Sequence, residues 1–384
     1  MPSFQYHAID RVHFDRPASE AILEEASVRN ARRVFVVASR TLNRSTNAVR
    51  GCITPLGSRV VGIFDECVPL IPRESAVTLA ERLREARADL VVTIGGGQVI
   101  DTVKVALVCL AQNVKTADDL DEWTWRPGPD GSLIKPTLNP IPCRQIVVPT
   151  TMSASEYHDY GGATDRKLGR KTGFGHPHIA AAAVILDPAI TLHTPEELWF
   201  STGMRAIDHA VAHISANNAV ALTDAACTEA IVRLRTNLPK SKSSPKALAA
   251  RLQCQLGSWL SAFGKGRVSF GVCHGIGNVL HEMTGVAHSM TTCVLLPTCL
   301  EWNRPMLGEK YQRIARAVNA EGDASSAIRS LITSLGLPSR LRDVGVSADA
   351  FKSIAARAVG HPMVLTNPRP VSIDDVIEIL SKAW

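Results

Sequence analysis

Two grammars of apolar positions divide the chain. Up to about Pro188, short aliphatic and β-branched runs recur: VFVVA at 34–38, VVGIF at 60–64, LVVTI at 90–94, QIVV at 145–148 and AVIL at 183–186. Runs that are nearly continuous, rather than alternating with polar residues, belong to strands buried on both faces, the pattern of a parallel sheet covered by helices. Between the second and third runs, residues 73–87 carry Val77, Leu79, Leu83 and Ala86 close to helical spacing. The pattern predicts a doubly wound α/β, Rossmann-like domain over 1–188. Residues 116–142, with Trp-Thr-Trp and Pro-Gly-Pro-Asp-Gly, read as an excursion between two strands.

Beyond Pro188 strand signals thin out and helical ones take over, so 189–384 is expected to be an all-α domain. Thr194-Pro195-Glu196-Glu197 reads as an N-cap, a proline at the first helical position and an acidic first turn. Further helix starts are expected at Ser347-Ala348-Asp349 and at Ser372-Ile373-Asp374-Asp375. The basic run at 240–246 is rich in Ser and Pro and reads as a solvated loop between helices.

Composition narrows the class. With 384 residues, 45% hydrophobic and 20% charged, the chain can bury a large core and lies outside the disordered and collagen-like ranges. Its net charge of +6 is too dilute for a nucleic-acid binder, although it suits an anionic substrate. Nine cysteines, an odd number without a C-x-x-C pair, read as buried thiols in a reducing compartment. The first seven residues lack the basic and apolar regions of a secretory signal, and no apolar stretch approaches the ~20 residues of a membrane span. A cytoplasmic protein without membrane or nucleic-acid partners is expected.

Two loops follow strands where chemistry could sit. After Ile94 come Gly95-Gly96-Gly97-Gln98, and a helical pattern runs on through Asp101 and Lys104. Three glycines at a strand-to-helix turn leave backbone N–H groups open to a phosphate, although a tight structural turn would use the same residues. After Val148, Pro149-Thr150-Thr151-Met152-Ser153 clusters hydroxyls that can bind a ribose or phosphate or form an ordinary Ser/Thr turn. In the helical half, His209 and His213 stand one turn apart, and His274, His281 and His288 follow. Imidazoles converging from two helices could bind a divalent metal or orient a carbonyl.

Taken together, these motifs resemble the iron-containing (group III) alcohol dehydrogenase family, and look most similar to its maleylacetate reductase-like branch. The resemblance runs from about residue 30 to 305, through the glycine turn, Pro149-Thr150-Thr151, TGMRAIDHA at 202–210, and His274-Gly275 with His288. It implies a Rossmann-like domain binding NAD(P)H, a helical domain, hydride transfer to or from a small carbonyl or alcohol, and a homodimer. Gly95, Gly96, Gly97, Gln98, Asp101 and Lys104 map onto the pyrophosphate turn. Thr150, Thr151, Ser153, Ser39 and Lys171 map onto the rest of the cofactor site. Gln98 replaces the usual serine.

His209, His274 and His288 match the family's three metal-binding histidines. The fourth ligand, an aspartate four residues before the first histidine, is Arg205 here, and a guanidinium cannot ligate and repels a cation. Asp208 lies ~100° around the helix from His209 and so is a poor substitute. Asn278 and His281 also depart from the family's histidine and glycine, and Ala212 replaces a glutamate. Without a metal, His274 or His209 is expected to donate to the carbonyl oxygen and Arg205 to pair a substrate carboxylate. A plain Arg205–Asp208 ion pair at i, i+3 is the competing role for Arg205. The segment after the first strand, Ala38-Ser39-Arg40-Thr41, has one arginine and no carboxylate, so a 2′-phosphate would not be repelled and NADPH acceptance is expected; an Arg40 that simply points into solvent is the competing reading.

The leading expectation is thus a metal-independent NAD(P)H-dependent reductase of an acidic, maleylacetate-like substrate. The alternatives are an iron- or zinc-dependent alcohol dehydrogenase, an NAD-using lyase on the same fold, and a cofactor-binding protein without turnover.

Overall fold

A computed structural model describes residues 3–128 and 133–384. Two compact units divide the chain, Met1–His193 and Thr194–Trp384.

Unit 1 is built on six strands: β1 (Arg11–Phe14), β2 (Val34–Ala38), β3 (Val60–Phe64), β4 (Leu90–Gly95), β5 (Arg144–Pro149) and β8 (Ala183–Leu186). They pair in the order β1-β8-β5-β4-β2-β3, every pair parallel. Because side chains alternate across a strand, Val34, Val36 and Ala38 enter one apolar layer with Ile22 of α1 (Ala18–Val28) and Val49 of α3 (Ala48–Ile53). Phe35 and Val37 enter the other, with Leu79 and Leu83 of α4 (Arg73–Glu85) and Val103 and Leu107 of α5 (Gly97–Ala111). Burial on both faces is the reason those strands read as unbroken apolar runs.

Two elements of unit 1 escape the apolar pattern. Strand β1 is an edge of four residues, RVHF, whose Arg11 and His13 pair with Glu24 and Glu25 of α1. An antiparallel hairpin, β6 (Tyr160–Asp165) and β7 (Arg170–Gly175), is glycine-rich, and Trp125 packs against Gly173 and Gly175 where a Cβ would stand 2.9 and 2.4 Å from its ring. Residues 116–142 do lie between strands β4 and β5; of their Pro-Gly-Pro-Asp-Gly motif, residues 129–131 lie outside the described residues.

Unit 2 is helical. Its site is carried by α6 (Glu196–Ser215), α9 (Val272–Thr284) and α10 (His288–Leu307), packed with α7 (Ala221–Ser243) and α8 (Leu248–Ser261). Pro195 sits one residue earlier than expected: it is the extended cap (ψ 141°) rather than the first helical residue. The expected loop at 240–246 is corrected in its first half, because α7 continues to Ser243. Ser241 is buried and accepts a hydrogen bond from Trp199 Nε1 at 3.2 Å, so a tertiary contact overrides the local Ser/Pro signal. A helix starts as expected at Ser372, which forms a capping box with Asp375 at the start of α15 (Ile373–Ala383). No helix among the described residues is long and apolar enough to cross a membrane.

Candidate active site

In unit 1 the strand order reverses beside β2: β3 lies on one side of it and β4 on the other. Parallel α/β sheets bind ligands beyond the carboxyl ends of strands at such a reversal. Ser39 follows β2 there, and its N–H donates to Ile94 O of β4 at 3.0 Å. Gly95 ends β4, Gly96 caps α5, and Thr150 N donates to Gly95 O at 3.0 Å, which joins the hydroxyl loop to the glycine turn.

The two loops nearly touch. A Cβ on Gly96 would lie 3.0 Å from Thr151, and one on Gly97 would lie 2.7 Å from Ser153 Oγ, so the close approach requires glycine at both positions. Thr151 Oγ1 is buried with no hydrogen-bond partner among the described residues, the kind of orphan that a ligand satisfies. Gln98 is exposed and its side chain donates to Cys67 O at 3.3 Å.

Lys104 is wholly buried. Its ammonium donates to Ser155 O and to Tyr160 O at 3.0 Å, lies 3.1 Å from His158 Nδ1 and 3.4 Å from Asp101 Oδ1. Burial pushes its pKa down, with Asp101 opposing. The lysine therefore braces the loop beyond Ser153 against α5. Asp101 also accepts from Ser155 Oγ at 3.4 Å. Lys171 is exposed on β7, opposite Thr164, and runs alongside Gly162.

In unit 2, α6 presents Arg205, Asp208 and His209, all buried. Arg205 Nη1 donates to Thr292 Oγ1 of α10 at 2.9 Å, and Nη2 donates to His288 Nε2. Thr292 Oγ1 in turn donates to Asp208 Oδ2 at 3.0 Å. The same carboxylate oxygen lies 3.2 Å from His274 Nδ1 and 3.9 Å from Arg205 Nη1. The rings of His209 and His274 are 5.3 Å apart, and Phe270 lies against His274 at 4.2 Å. The ring of His281 is 5.4 Å from that of His288.

Burial sets the charges. It pushes His274 down to about 4 and His209 well below the ordinary imidazole range, so both are neutral at neutral pH. Asp208 is also desolvated, but His274, Arg205 and Thr292 outweigh that cost and hold its pKa low. The charges of Arg205 and of Lys265, a buried residue between α8 and α9, both act on His209 and His274. Asp208 thus lies 3.9 Å from one buried cation, Arg205, while the charge of Lys265 acts on the neighbouring imidazoles. His213 lies apart from this chemistry: its Nδ1 is 3.1 Å from Ser261 O.

These donors do not suit a divalent cation. Arg205 occupies the place of the acidic ligand, and its guanidinium already engages His288 through the nitrogen a metal would need. Among the described residues, the sole set of three His, Cys, Asp or Glu donors within 4.8 Å of one another is His13, Glu24 and Glu25 in unit 1. Arg11, Arg16 and Arg29 already neutralise those carboxylates.

Sequence reasoning missed Lys265, Phe270 and Thr292. Thr292 is one turn beyond His288, which periodicity could have flagged; Lys265 and Phe270 lie in an irregular connection without a local signal.

Family models describe both halves: iron-containing alcohol dehydrogenase over residues 10–188, and the C-terminal domain of the Fe-containing alcohol dehydrogenase family over 199–384. The chain belongs to the iron-containing alcohol dehydrogenase family. It is an NAD(P)-dependent oxidoreductase acting on alcohol and carbonyl groups. Dehydrogenase FUM7 of Gibberella moniliformis is 30% identical, with 97% of this chain and 95% of the relative covered. A maleylacetate reductase of Sphingobium indicum is 28% identical, with 90% of each chain covered. The crystal structure of maleylacetate reductase from Agrobacterium tumefaciens superposes with a TM-score of 0.84 at 25% identity, covering 100% of this chain and 99% of that one.

Proposed function

We propose that this member of the family is a metal-independent NAD(P)H-dependent reductase of a small oxo-acid, similar in substrate class to maleylacetate. The observation that carries the reading is Arg205: a buried guanidinium stands where the family places an aspartate ligand, and it is held by Thr292 and engages His288. A cation fixed at that point suits a substrate carboxylate paired in a bidentate fork.

In this reading unit 1 binds the nucleotide, with the N–H groups of Gly95, Gly96 and Gly97 at the pyrophosphate and the hydroxyls of Thr150, Thr151 and Ser153 alongside. Ser39, with no carboxylate beside it in sequence, tolerates a 2′-phosphate, so NADPH is accepted. Asp65, directly after β3, already accepts from Arg44 Nε and Nη2, each at 2.7 Å, which supports that preference. A nicotinamide bound there would supply the hydride for the carbonyl carbon, and His274 or His209 would donate the proton to the oxygen on which negative charge develops. Arrival of a carboxylate adds negative charge that favours the protonated imidazole. All nine cysteines are free, in keeping with a reducing cytoplasm.

The test is NADH and NADPH oxidation by chelator-treated protein against a panel of oxo-acids, aldehydes and ketones. The expected result is stoichiometric NAD(P)H consumption with an oxo-acid at a rate that added Fe²⁺ or Zn²⁺ leaves unchanged. Strict dependence on added metal with neutral substrates preferred would establish the metal-dependent alternative, and product formation without net NAD(P)H consumption would establish the lyase.

A further inference from the structure

We propose that Lys104 is a positioning residue for the cofactor: it makes no contact with the nucleotide and instead locks the left-handed turn at Ala154, which holds the hydroxyl loop against the glycine turn. This rests on the reading of unit 1 as the nucleotide site and names what gives that site its shape.

The turn is strained. Ala154 lies between Ser153 and Ser155 at φ 59° and ψ 26°, and it is 0% exposed. In this region the Cβ crowds the following carbonyl, so an alanine left to itself favours the right-handed region by roughly tenfold in population. Such residues persist only where their surroundings over-determine them. Both neighbours of Ala154 are pinned against α5. A Cβ on Gly97 would stand 2.7 Å from Ser153 Oγ and 3.0 Å from Ser155 Oγ, and Ser155 Oγ donates to Asp101 Oδ2 at 3.4 Å.

Lys104 supplies the clamp behind the turn. Its stem lies along β6, where a Cβ on Gly161 would be 3.2 Å from Lys104 Cβ. Its ammonium donates to Ser155 O, the first carbonyl after Ala154, and to Tyr160 O at 3.0 Å, with His158 Nδ1 at 3.1 Å and Asp101 Oδ1 at 3.4 Å. An ammonium has three N–H groups. Two carbonyls, one imidazole nitrogen and one carboxylate already outnumber them, so none is left for a phosphate. The His158 ring is held in turn by stacking on Tyr160 at 3.8 Å.

Packing alone accounts poorly for a lysine at this position. Burying an ammonium is costly unless its partners compensate, and burial pushes the pKa of Lys104 down. A methionine would fill the same space between α5 and β6 without that cost. What it could not do is draw the carbonyls of Ser155 and Tyr160 to one atom of α5, which closes the loop between them over that helix.

The experiment has two arms. In the first, fluorescence titration gives the nucleotide dissociation constant of wild type, Lys104→Met, Ala154→Gly and the double variant, with whichever of NADH and NADPH the wild type binds more tightly. Without the clamp about one molecule in ten keeps the turn, so Lys104→Met should raise the constant about tenfold, while kcat at saturating nucleotide stays within about threefold. Glycine enters the left-handed region freely, so the double variant should return to within about threefold of Ala154→Gly alone. An unchanged constant in Lys104→Met overturns the proposal. So does a rise that Ala154→Gly fails to reverse, the result a lysine touching the pyrophosphate would give. The second arm uses free wild-type protein: under reductive methylation read by peptide mass spectrometry, Lys104 should stay unmodified where exposed Lys171 reacts. Methylation of Lys104 at the rate of Lys171 overturns the proposal even if no variant folds. Wild-type protein that binds neither nucleotide overturns the reading of unit 1 and the proposal with it; a binding wild type with an indifferent Lys104→Met overturns the proposal alone.

Discussion

Replacing Arg205 with Met removes the guanidinium and keeps a stem of similar length packed among α6 and α10. Arg205 is only 6% exposed, so any carboxylate it pairs is bound in a largely desolvated setting. Two charge-assisted hydrogen bonds at ~1.5 kcal/mol each amount to ~3 kcal/mol, or about a hundredfold in KM at ~1.4 kcal/mol per tenfold. The change also harms the site in ways that do not depend on substrate: Thr292 loses a donor, and Asp208 loses a cation 3.9 Å away. For that reason the quantity to measure is the ratio of kcat/KM for an oxo-acid to kcat/KM for a neutral aldehyde, from initial rates of NADPH absorbance loss. The substrate-independent damage divides out, and the ratio should fall ~100-fold. Arg205→Lys, which keeps the charge without the fork, should fall in between. A ratio unchanged within about twofold, the ~0.5 kcal/mol over which independent effects add, would refute the carboxylate role and leave Arg205 as an ion-pair partner of Asp208.

Two further outcomes concern unit 1. Gly97→Val places carbon into the 2.7 Å gap to Ser153 Oγ, with Ser155 Oγ at 3.0 Å, and should raise the NAD(P)H dissociation constant by at least about tenfold in a fluorescence titration; unchanged binding would remove the glycine turn from the cofactor site. Asp65→Asn should lower the melting temperature at pH 7: hydrogen bonding by Arg44, aided by Asn43 and opposed by burial, holds the carboxyl at about 2. A depressed folded-state pKa stabilises above the unfolded value of ~3.9 and is lost as pH falls through about 2, so the gap between variant and wild type should narrow from pH 4 downward. Because Arg44 is half-exposed, solvent screens the pair, so the difference at pH 7 should be small. A gap that widens on acidification would contradict the assignment.

Much of the molecule is legible in the order of its residues. Continuous apolar runs locate β2, β4, β5 and β8 because a strand covered on both faces has no polar side to present, and they also locate β3, an edge strand whose Ile63 is exposed. Three glycines after β4 and the hydroxyls after β5 are readable as neighbours, since parallel strands deliver their following loops to the same sheet edge. The edge strand β1 and the glycine-rich hairpin β6–β7 lack that signal, being short, charged or held by contacts such as Trp125. Residues 240–243 mislead for a related reason: local Ser and Pro content argues for a loop, and burial of Ser241 against Trp199 decides for helix.

In the site, helical periodicity by itself places Arg205 and His209 on one face of α6; that an acidic ligand is missing there is what the family resemblance implies. Periodicity also turns Asp208 away from His209, but it cannot say toward what. Only the packing of α6 against α9 and α10 brings His274 and Thr292 to that carboxylate, from 66 and 84 residues further along the chain. Periodicity is a property of one segment, whereas the partner of a buried polar group, and the charge it keeps, depend on which helices exclude water around it.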